Sequence, residues 1–421
     1  MTLSCFDLGE RMLPVEEARE RLASLVESPL PAERVPLAEL HGRVLAEDVI
    51  SPIDVPQNTN AAMDGIALAW PEDDHLPREW PGAWRRVGEV LAGRPHDAAL
   101  EPGECVRITT GAPLPPGSDT VIMREQFDED GDRVAIHQPE RVRRGQHVRR
   151  AGEDIPRGRL ALRAGARLGA AELGLLASLG LVDAWVHRRP RVAVFSTGDE
   201  VIAPGQPLPP AGIHDANRYT LAGLLAEQGA ELMDMGILPD DREAMIAALC
   251  DAAGQADMVI SSGGVSVGHA DFTREALEKV GRLAFWRIAI RPGRPMACGF
   301  LGEQGVPFLG LPGNPVAVMV TFLQFVVPLL ARLQGRAAWA PQRLTAIADG
   351  AMKSRLGRTD YLRGIFHAGP DGRLHVQSTG AQGSGILSSM VAANCLIELA
   401  DDREGAAPGE TVSIQPLYRL P

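Results

Sequence analysis

Cysteine is scarce and scattered in this chain. Cys5, Cys105, Cys250, Cys298 and Cys395 form an odd set with no C-x-x-C spacing. That argues against a disulfide framework and fits a reducing cytoplasm, where cysteines serve as small core residues. Long apolar runs are lacking too. The longest, 316–330, contains Gln324 and Pro328, is shorter than a membrane span, and reads as a buried helix. Asp7, Glu10 and Arg11 stand where a signal peptide needs apolar residues. No membrane partner is therefore expected. Positive charge is also in deficit: the net charge of −12 argues against a nucleic-acid footprint, while leaving room for a local basic pocket.

What is present is ordinary for a soluble globular protein, with 45% hydrophobic and 23% charged residues. A length of 421 residues exceeds one ordinary core. Glycine (45) and proline (33) are abundant, which predicts many turns and a sizeable β-rich part. Charges alternate with apolar positions over Pro14–Val26, predicting an amphipathic helix. A second helical stretch, Leu37–Arg43, leads into Val44–Ile50, and Ser51–Asn60 is a polar, proline-bearing connector. From Ala61 to about Arg150 short β runs alternate with turns. The arginine-rich stretch from Arg141 to Arg167 reads as a solvated charged face. A short helix, Gly169–Leu179, then returns the chain to the first region.

From Arg191 to about Gln334 strands alternate with helices, the pattern of an α/β sheet with crossovers. From Pro341 onward the pattern is β again. The expected fold is therefore multidomain, α/β plus β. A mixed N-terminal domain (1–53 and 145–188) carries a β-rich insertion (54–144). A central parallel-sheet α/β domain (189–338) follows, and 339–421 forms a small β-barrel or sandwich, the barrel being preferred.

The chemistry concentrates around 257–271, where a short apolar run, Met258–Ile260, meets SSGGVSVGHAD. Strand, glycine-rich loop and helix make a seat for an anion, because glycines admit close backbone approach and the helix start offers N–H groups. The loop lacks the Gly-Lys-Ser/Thr of a Walker motif and the spacing of a dinucleotide fingerprint. Ligands of such sheets lie outside the carboxyl ends of the strands. That rule gathers Ser196, Thr197 and Gly198; Ser261, Ser262, Gly263, Gly264, Ser266 and Gly268; and the Pro312-Gly313-Asn314 turn on one rim. The same rim receives Glu200, Asp240 and Asp271. Carboxylates beside an anion seat suggest a divalent cation between them, Mg²⁺ by oxygen chemistry. Helix capping is the alternative for Asp271 and for Asp240, which with Glu243 has the form of a capping box. Arg287 and Arg291, four apart on an apolar strand, are expected on one face, with Arg294 brought near by Pro292-Gly293. Three guanidiniums at one strand end suit a tetrahedral oxyanion.

These residues resemble a known family. STGDE, SSGGVSVGHAD, Arg-Pro-Gly-Arg-Pro and LPGNP are similar to the molybdopterin-binding domain shared by MoeA and the gephyrin E domain. Asp54-Val55-Pro56, Ala62-Met63-Asp64-Gly65, 107–112 and 150–155 resemble that family's N-terminal motifs. The resemblance implies a molybdopterin molybdenumtransferase. Such an enzyme inserts molybdate into adenylated molybdopterin and releases AMP, with Mg²⁺ as cofactor. It further implies an elongated homodimer in which Asp64, Thr110 and Asp154 approach the site from the partner chain, and it adds molybdopterin adenylyltransferase as a candidate partner. Asp64, Thr110, Glu200 and Asp271 then form the catalytic set, and Arg287, Arg291 and Arg294 hold molybdate. Three departures stand out. Ile66 replaces the usual aromatic, the 57–60 connector differs, and arginines replace lysines at 287, 291 and 294, which keeps the charge but changes the hydrogen bonding. The alternatives are a molybdopterin adenylyltransferase, which is usually a single α/β domain, and a gephyrin-like scaffold without catalysis.

Overall fold

The computed structural model describes residues 12–70, 84–239, 241–263, 271–336 and 339–417. A seven-stranded sheet forms its centre. In chain order its strands are β1 (Met12–Leu13), β2 (Arg191–Ser196), β3 (Glu231–Ile237), β4 (Met258–Ser262), β5 (Gly281–Ile288), β6 (Pro295–Leu301) and β7 (Val306–Leu311). Their spatial order is β1-β5-β6-β7-β4-β2-β3. The four strands β7, β4, β2 and β3 run parallel, and β6 is antiparallel to both neighbours. Strand β5 therefore points the same way as β7, and its carboxyl end reaches the same rim.

Alternation along the parallel strands sends side chains to two cores. Val192, Val194, Met258, Ile260, Leu309 and Leu311 face one core with helices Val15–Ala23, Asn217–Glu227 and Pro315–Leu333. Ala193, Phe195, Val259 and Phe308 face the other, with helices Arg242–Gln255 and Asp271–Val280. Helix Pro315–Leu333 is long and apolar enough to cross a membrane by composition, yet 83% of it is buried in this core. Pro328 has no N–H to offer the Gln324 carbonyl one turn back. The helix widens into a π-type turn over Phe322–Val326, and Arg19 Nε donates to that carbonyl at 3.1 Å.

The N-terminal segment departs from the expected boundary. Met12–Leu13 pairs in parallel with β5, and Leu13, Val15, Ala18 and Leu22 lie in the α/β core. The first helix thus packs away from the rest of 1–53, because its apolar stripe completes a face of the central sheet. The stretch expected to be helical at Leu37–Arg43 makes only a short 3-10 turn, Leu37–Glu39. Elsewhere the two halves of the N-terminal region are sewn together. Ala32–Pro36 pairs with Asp183–His187, Val49–Ile50 with Leu160–Leu162, and Asn60–Ala61 with Val148–Arg149. Between them lies a six-stranded sheet running from Gly65–Leu68 to Arg133–Ile136 in sequence.

At the C-terminal end the strands Leu344–Ala348, Thr359–Ala368, Leu374–Ser378, Cys395–Leu399 and Thr411–Pro416 close into a barrel. Its interior holds Leu362, Val376, Ile397 and Ile414. The Cys395 thiol is buried there, which pushes its pKa up to about 12. Ile290–Arg291 adds itself in parallel to Thr359–Ala368, joining the barrel to the chain of the α/β unit.

Candidate functional site

The sheet order reverses between β2 and β4: β3 lies on one side of β2, and the chain then crosses back to β4 on the other. Crevices form where strand order reverses in this way. Ser196 and Ser262, the last residues of β2 and β4, are register partners. Beyond them Thr197 N donates to Ser262 O at 3.4 Å, and Gly263 N donates to Leu311 O at 3.2 Å. The expected segments at Ser196, Ser262 and Leu311 therefore converge. Gly263 has φ +88°, which strains any side chain, and a Cβ there would press on Thr197 O at 3.2 Å.

The polar atoms of this crevice are placed for a ligand. Ser196, Thr197 and Ser261 are buried, yet their hydroxyl oxygens find no hydrogen-bond partner among the described residues. Buried polar groups without partners are expensive and therefore rare. Asn217, at the start of its helix, donates through Nδ2 to Ser262 Oγ at 2.8 Å and to Gly313 O at 2.7 Å. It ties the end of β4 to the Pro312-Gly313-Asn314 turn, while its Oδ1 remains without a partner among the described residues. Glu200 folds back beside Gly198, so close that a Cβ on that glycine would meet Glu200 Oε2 at 2.7 Å.

Gly264, Ser266, Gly268 and Asp240 lie outside the described residues, as does the side chain of Asp271, although helix Asp271–Val280 starts where expected. Of the candidate cation ligands only the Glu200 side chain is described, and no group of three metal-binding side chains occurs among the described residues. One reading is corrected. The cap of helix Arg242–Gln255 is Asp241, whose Oδ1 accepts from Ala244 N at 2.8 Å, and not Asp240. The helix begins one residue later than the capping-box spacing suggests.

The arginines also need correction. Arg287 and Arg291 do not share one strand face. Strand β5 ends at Ile288, and after Ala289 the chain leaves the central sheet to pair with the barrel, Arg291 opposite Asp360. Arg287, Arg291 and Arg294 are nonetheless all exposed near the carboxyl end of β5. The turn between them packs on the helix that follows the Pro312-Gly313-Asn314 turn, since a Cβ on Gly293 would lie 2.5 Å from Thr321 Cγ2. Arg291 Nη1 lies 3.5 Å from Asp360 Oδ2.

Sequence reasoning missed Arg363. It is 1% exposed and bonds Ser389 Oγ at 3.0 Å and the Gly383 carbonyl at 3.0 Å, with no carboxylate partner among the described residues. Burial, together with the charge of Arg291, lowers its pKa to about 10, which leaves it a cation at neutral pH. Its only signal was a charge inside the otherwise apolar strand 361–366. The barrel loop beside it reaches the rim, where Val316 N donates to Ser384 O at 3.1 Å. Asp215 and Asn217 were missed as well. Arg218 holds the buried Asp215 at 3.0 Å and also pairs with Asp234, bracing the helix start that presents Asn217. The polar pair ahead of the Asn217–Glu227 pattern was the available signal.

Asp64 and Thr110 lie in the inserted region. Asp64 Oδ1 accepts from Thr110 N at 2.6 Å and from Thr110 Oγ1 at 2.8 Å. These two bonds hold its carboxyl below the usual range, although it is fully exposed. Asp154 is exposed, beside the Val55–Ile155 bridge.

Hydroxyls without partners among the described residues, at the strand ends where an α/β sheet reverses its order, define the class: an α/β protein whose candidate ligand site lies at that rim. Family models describe the same three regions. The MoeA N-terminal region (domain I and II) matches 13–180, "Probable molybdopterin binding domain" matches 193–332, and the MoeA C-terminal region (domain IV) matches 345–417. A curated relative from Haemophilus influenzae, named molybdopterin molybdenumtransferase, is 42% identical, covering 97% of this chain and all of that protein. One of the same name from Nostoc is 36% identical over 94% of this chain and 91% of its own length. A crystal structure of the molybdopterin biosynthesis MoeA protein from Pyrococcus horikoshii superposes with a TM-score of 0.83 at 30% identity, over 96% of this chain and 100% of that one. The chain belongs to the MoeA family.

Proposed function

We propose that the chain is a molybdopterin molybdenumtransferase that inserts molybdate into adenylated molybdopterin and releases AMP. The observation that carries this reading is the pairing of two unlike anion seats on one rim. One consists of the buried hydroxyls of Ser196, Thr197 and Ser261. The other consists of Arg291 and the buried Arg363, which has no carboxylate partner among the described residues. The first suits the phosphate side of a pterin nucleotide. The second suits a small tetrahedral dianion, with Arg287 and Arg294 closing over it.

Residue roles follow from position. Gly263 lets the backbone approach the ligand, Asn217 fixes the two loops that flank it, and the arginines keep the oxyanion beside the dithiolene until sulfur displaces its oxygens. Glu200, Asp240 and Asp271 carry hard oxygen donors and would hold Mg²⁺. When bound, the ion supplies Lewis-acid polarisation of the pyrophosphate. The functional unit is a homodimer, with Asp64, Thr110 and Asp154 of a second copy completing each site. Mass spectrometry of the purified protein tests the reading: bound molybdopterin, its adenylate or AMP is expected. Failure to retain or bind any of them, with the fold intact, contradicts it.

A further inference from the structure

The barrel meets the α/β unit through a buried chain of polar groups that the proposed reaction does not use. Gln324, 1% exposed, lies in the long core helix. Its side-chain oxygen accepts from Arg19 of the N-terminal helix, and its Nε2 donates to Gln415 Oε1 of the barrel at 2.9 Å. Gln415 Nε2 donates to Glu398 Oε2 at 2.8 Å, and Tyr361 Oη donates to Glu398 Oε1 at 3.3 Å. Arg19 Nη2 also reaches Tyr361 Oη at 3.4 Å. Arg343, just before the barrel, clasps Glu398 with two bonds and returns to Glu16 at 2.9 Å.

Such a network is an inefficient glue, since apolar replacements of similar shape often stabilise as well or better. What it adds is direction: the donors and acceptors meet across the units in one arrangement, so the two units fit in one register. That register has a consequence at the rim. Tyr361 and Arg363 are two apart on strand Thr359–Ala368 and share a face. Ile290–Arg291 is already paired with this strand, so fixing Tyr361 against Arg19 fixes where Arg363 and Arg291 together stand relative to the α/β rim. The core helix is engaged at both places, by Gln415 at Gln324 and by Ser384 at Val316.

We propose that Gln324, with Arg19, Tyr361, Glu398 and Gln415, is a positioning device that sets the barrel so that the Arg363–Arg291 anion seat faces the rim of the α/β unit. This rests on the reading of Arg363 and Arg291 as that seat, and the two ideas separate experimentally. The assay is AMP release from adenylated molybdopterin as molybdate is titrated, on Gln324→Met, Arg363→Ala and the double variant. Gln324→Met removes the bond to Gln415 of the barrel and the bond from Arg19 within the α/β unit, while keeping the side chain's length. It should raise the half-saturating molybdate about tenfold, as expected for one impaired charge-assisted contact. The rate at saturating molybdate should be little changed. Arg363→Ala should do the same, and the double variant should be no worse than Arg363→Ala alone.

A merely structural role lowers the maximal rate through loss of folded protein and leaves the half-saturating concentration in place. If Gln324→Met folds with an unaltered molybdate dependence, or adds fully to Arg363→Ala, the positioning role is overturned. If Arg363→Ala itself leaves the dependence unaltered, the anion seat falls and the device falls with it. Should Gln324→Met fail to fold, Tyr361→Phe, which loses only the hydroxyl, takes its place with the same expectations at smaller amplitude.

Discussion

Arg291 and Asp360 pair on neighbouring strands where the chain of the α/β unit joins the barrel sheet: the arginine is 46% exposed, the aspartate fully buried, and Nη1 lies 3.5 Å from Oδ2. Arg358 Nε also lies 2.8 Å from Asp360 Oδ1 as an ion pair, and Arg358 Nη2 donates to Asp360 Oδ2 at 3.3 Å. The buried carboxylate is thus the fixed point, and two cations are arranged around it. Asp360→Asn should destabilise the protein by about 3 kcal/mol, the lower end for breaking a buried pair. Arg291→Ala should cost clearly less, because Arg358 still neutralises the aspartate. Urea unfolding midpoints of both variants check the order.

Gly263→Ala and Gly254→Ala separate a ligand-seat glycine from an idle one. At Gly263 the positive φ strains any side chain by about 1–2 kcal/mol, and the added methyl presses on Thr197 O. Binding of AMP or adenylated molybdopterin should weaken with the stability. Gly254 lies in helix Arg242–Gln255 with nothing within 4 Å of a new Cβ. Alanine there should stabilise by about 1 kcal/mol and leave binding unchanged. Calorimetric titration and thermal melts on both variants provide the comparison.

The acid limb of stability should involve Glu398. Burial opposes its ionisation, but the Arg343 and Gln415 hydrogen bonds and the charges of Arg343 and Arg19 outweigh that, so its folded pKa is lowered. A lowered folded pKa means that the unfolded state binds the proton more readily. The stabilisation is therefore complete above the ordinary glutamate value of about 4.3, and is lost as pH falls through the folded value. Glu398→Gln should be less stable than the wild type at neutral pH, and the gap should narrow below pH of about 4. Denaturation midpoints followed from neutral to acid pH decide it; a constant gap contradicts the account.

Asp64 should act across the proposed homodimer. Mixing an Asp64→Ala chain with an Asp271→Ala chain gives hybrids with one intact site if each site draws Asp64 from one copy and Asp271 from the other. Random pairing of the two inactive proteins should then restore about a quarter of wild-type activity. No recovery, with hybrid dimers demonstrated by native mass spectrometry, removes the shared-site arrangement.

How much of this was legible in the sequence depended on whether the signal was local. Val192–Phe195 and Met258–Ile260 read as buried strands because burial on both faces leaves an unbroken apolar run. The serines and glycines at their ends marked the rim for the same local reason. The helix at Val15–Ala23 was visible as an amphipathic stripe, but its docking on the central sheet was not, since a stripe does not name the face it meets. Arg291 was misplaced because its partner, Asp360, lies 69 residues on, and only that pairing shows that the chain changes sheets at Ala289. Arg363 escaped notice because a buried cation within a strand is defined by what packs around it.

The central claim is that molybdate is consumed at this rim by a pterin nucleotide, and AMP release against molybdate concentration tests it most directly. The wild-type protein, supplied with Mg²⁺ and adenylated molybdopterin, should release AMP only when molybdate is present. Arg291→Ala should need roughly tenfold more molybdate, the equivalent of a lost charge-assisted bond of about 1.5–3 kcal/mol, and Arg291→Lys should need less than the alanine variant. Binding of the pterin nucleotide, measured separately, should change little. AMP release indifferent to molybdate, or normal molybdate dependence together with lost pterin binding in Arg291→Ala, would contradict the account.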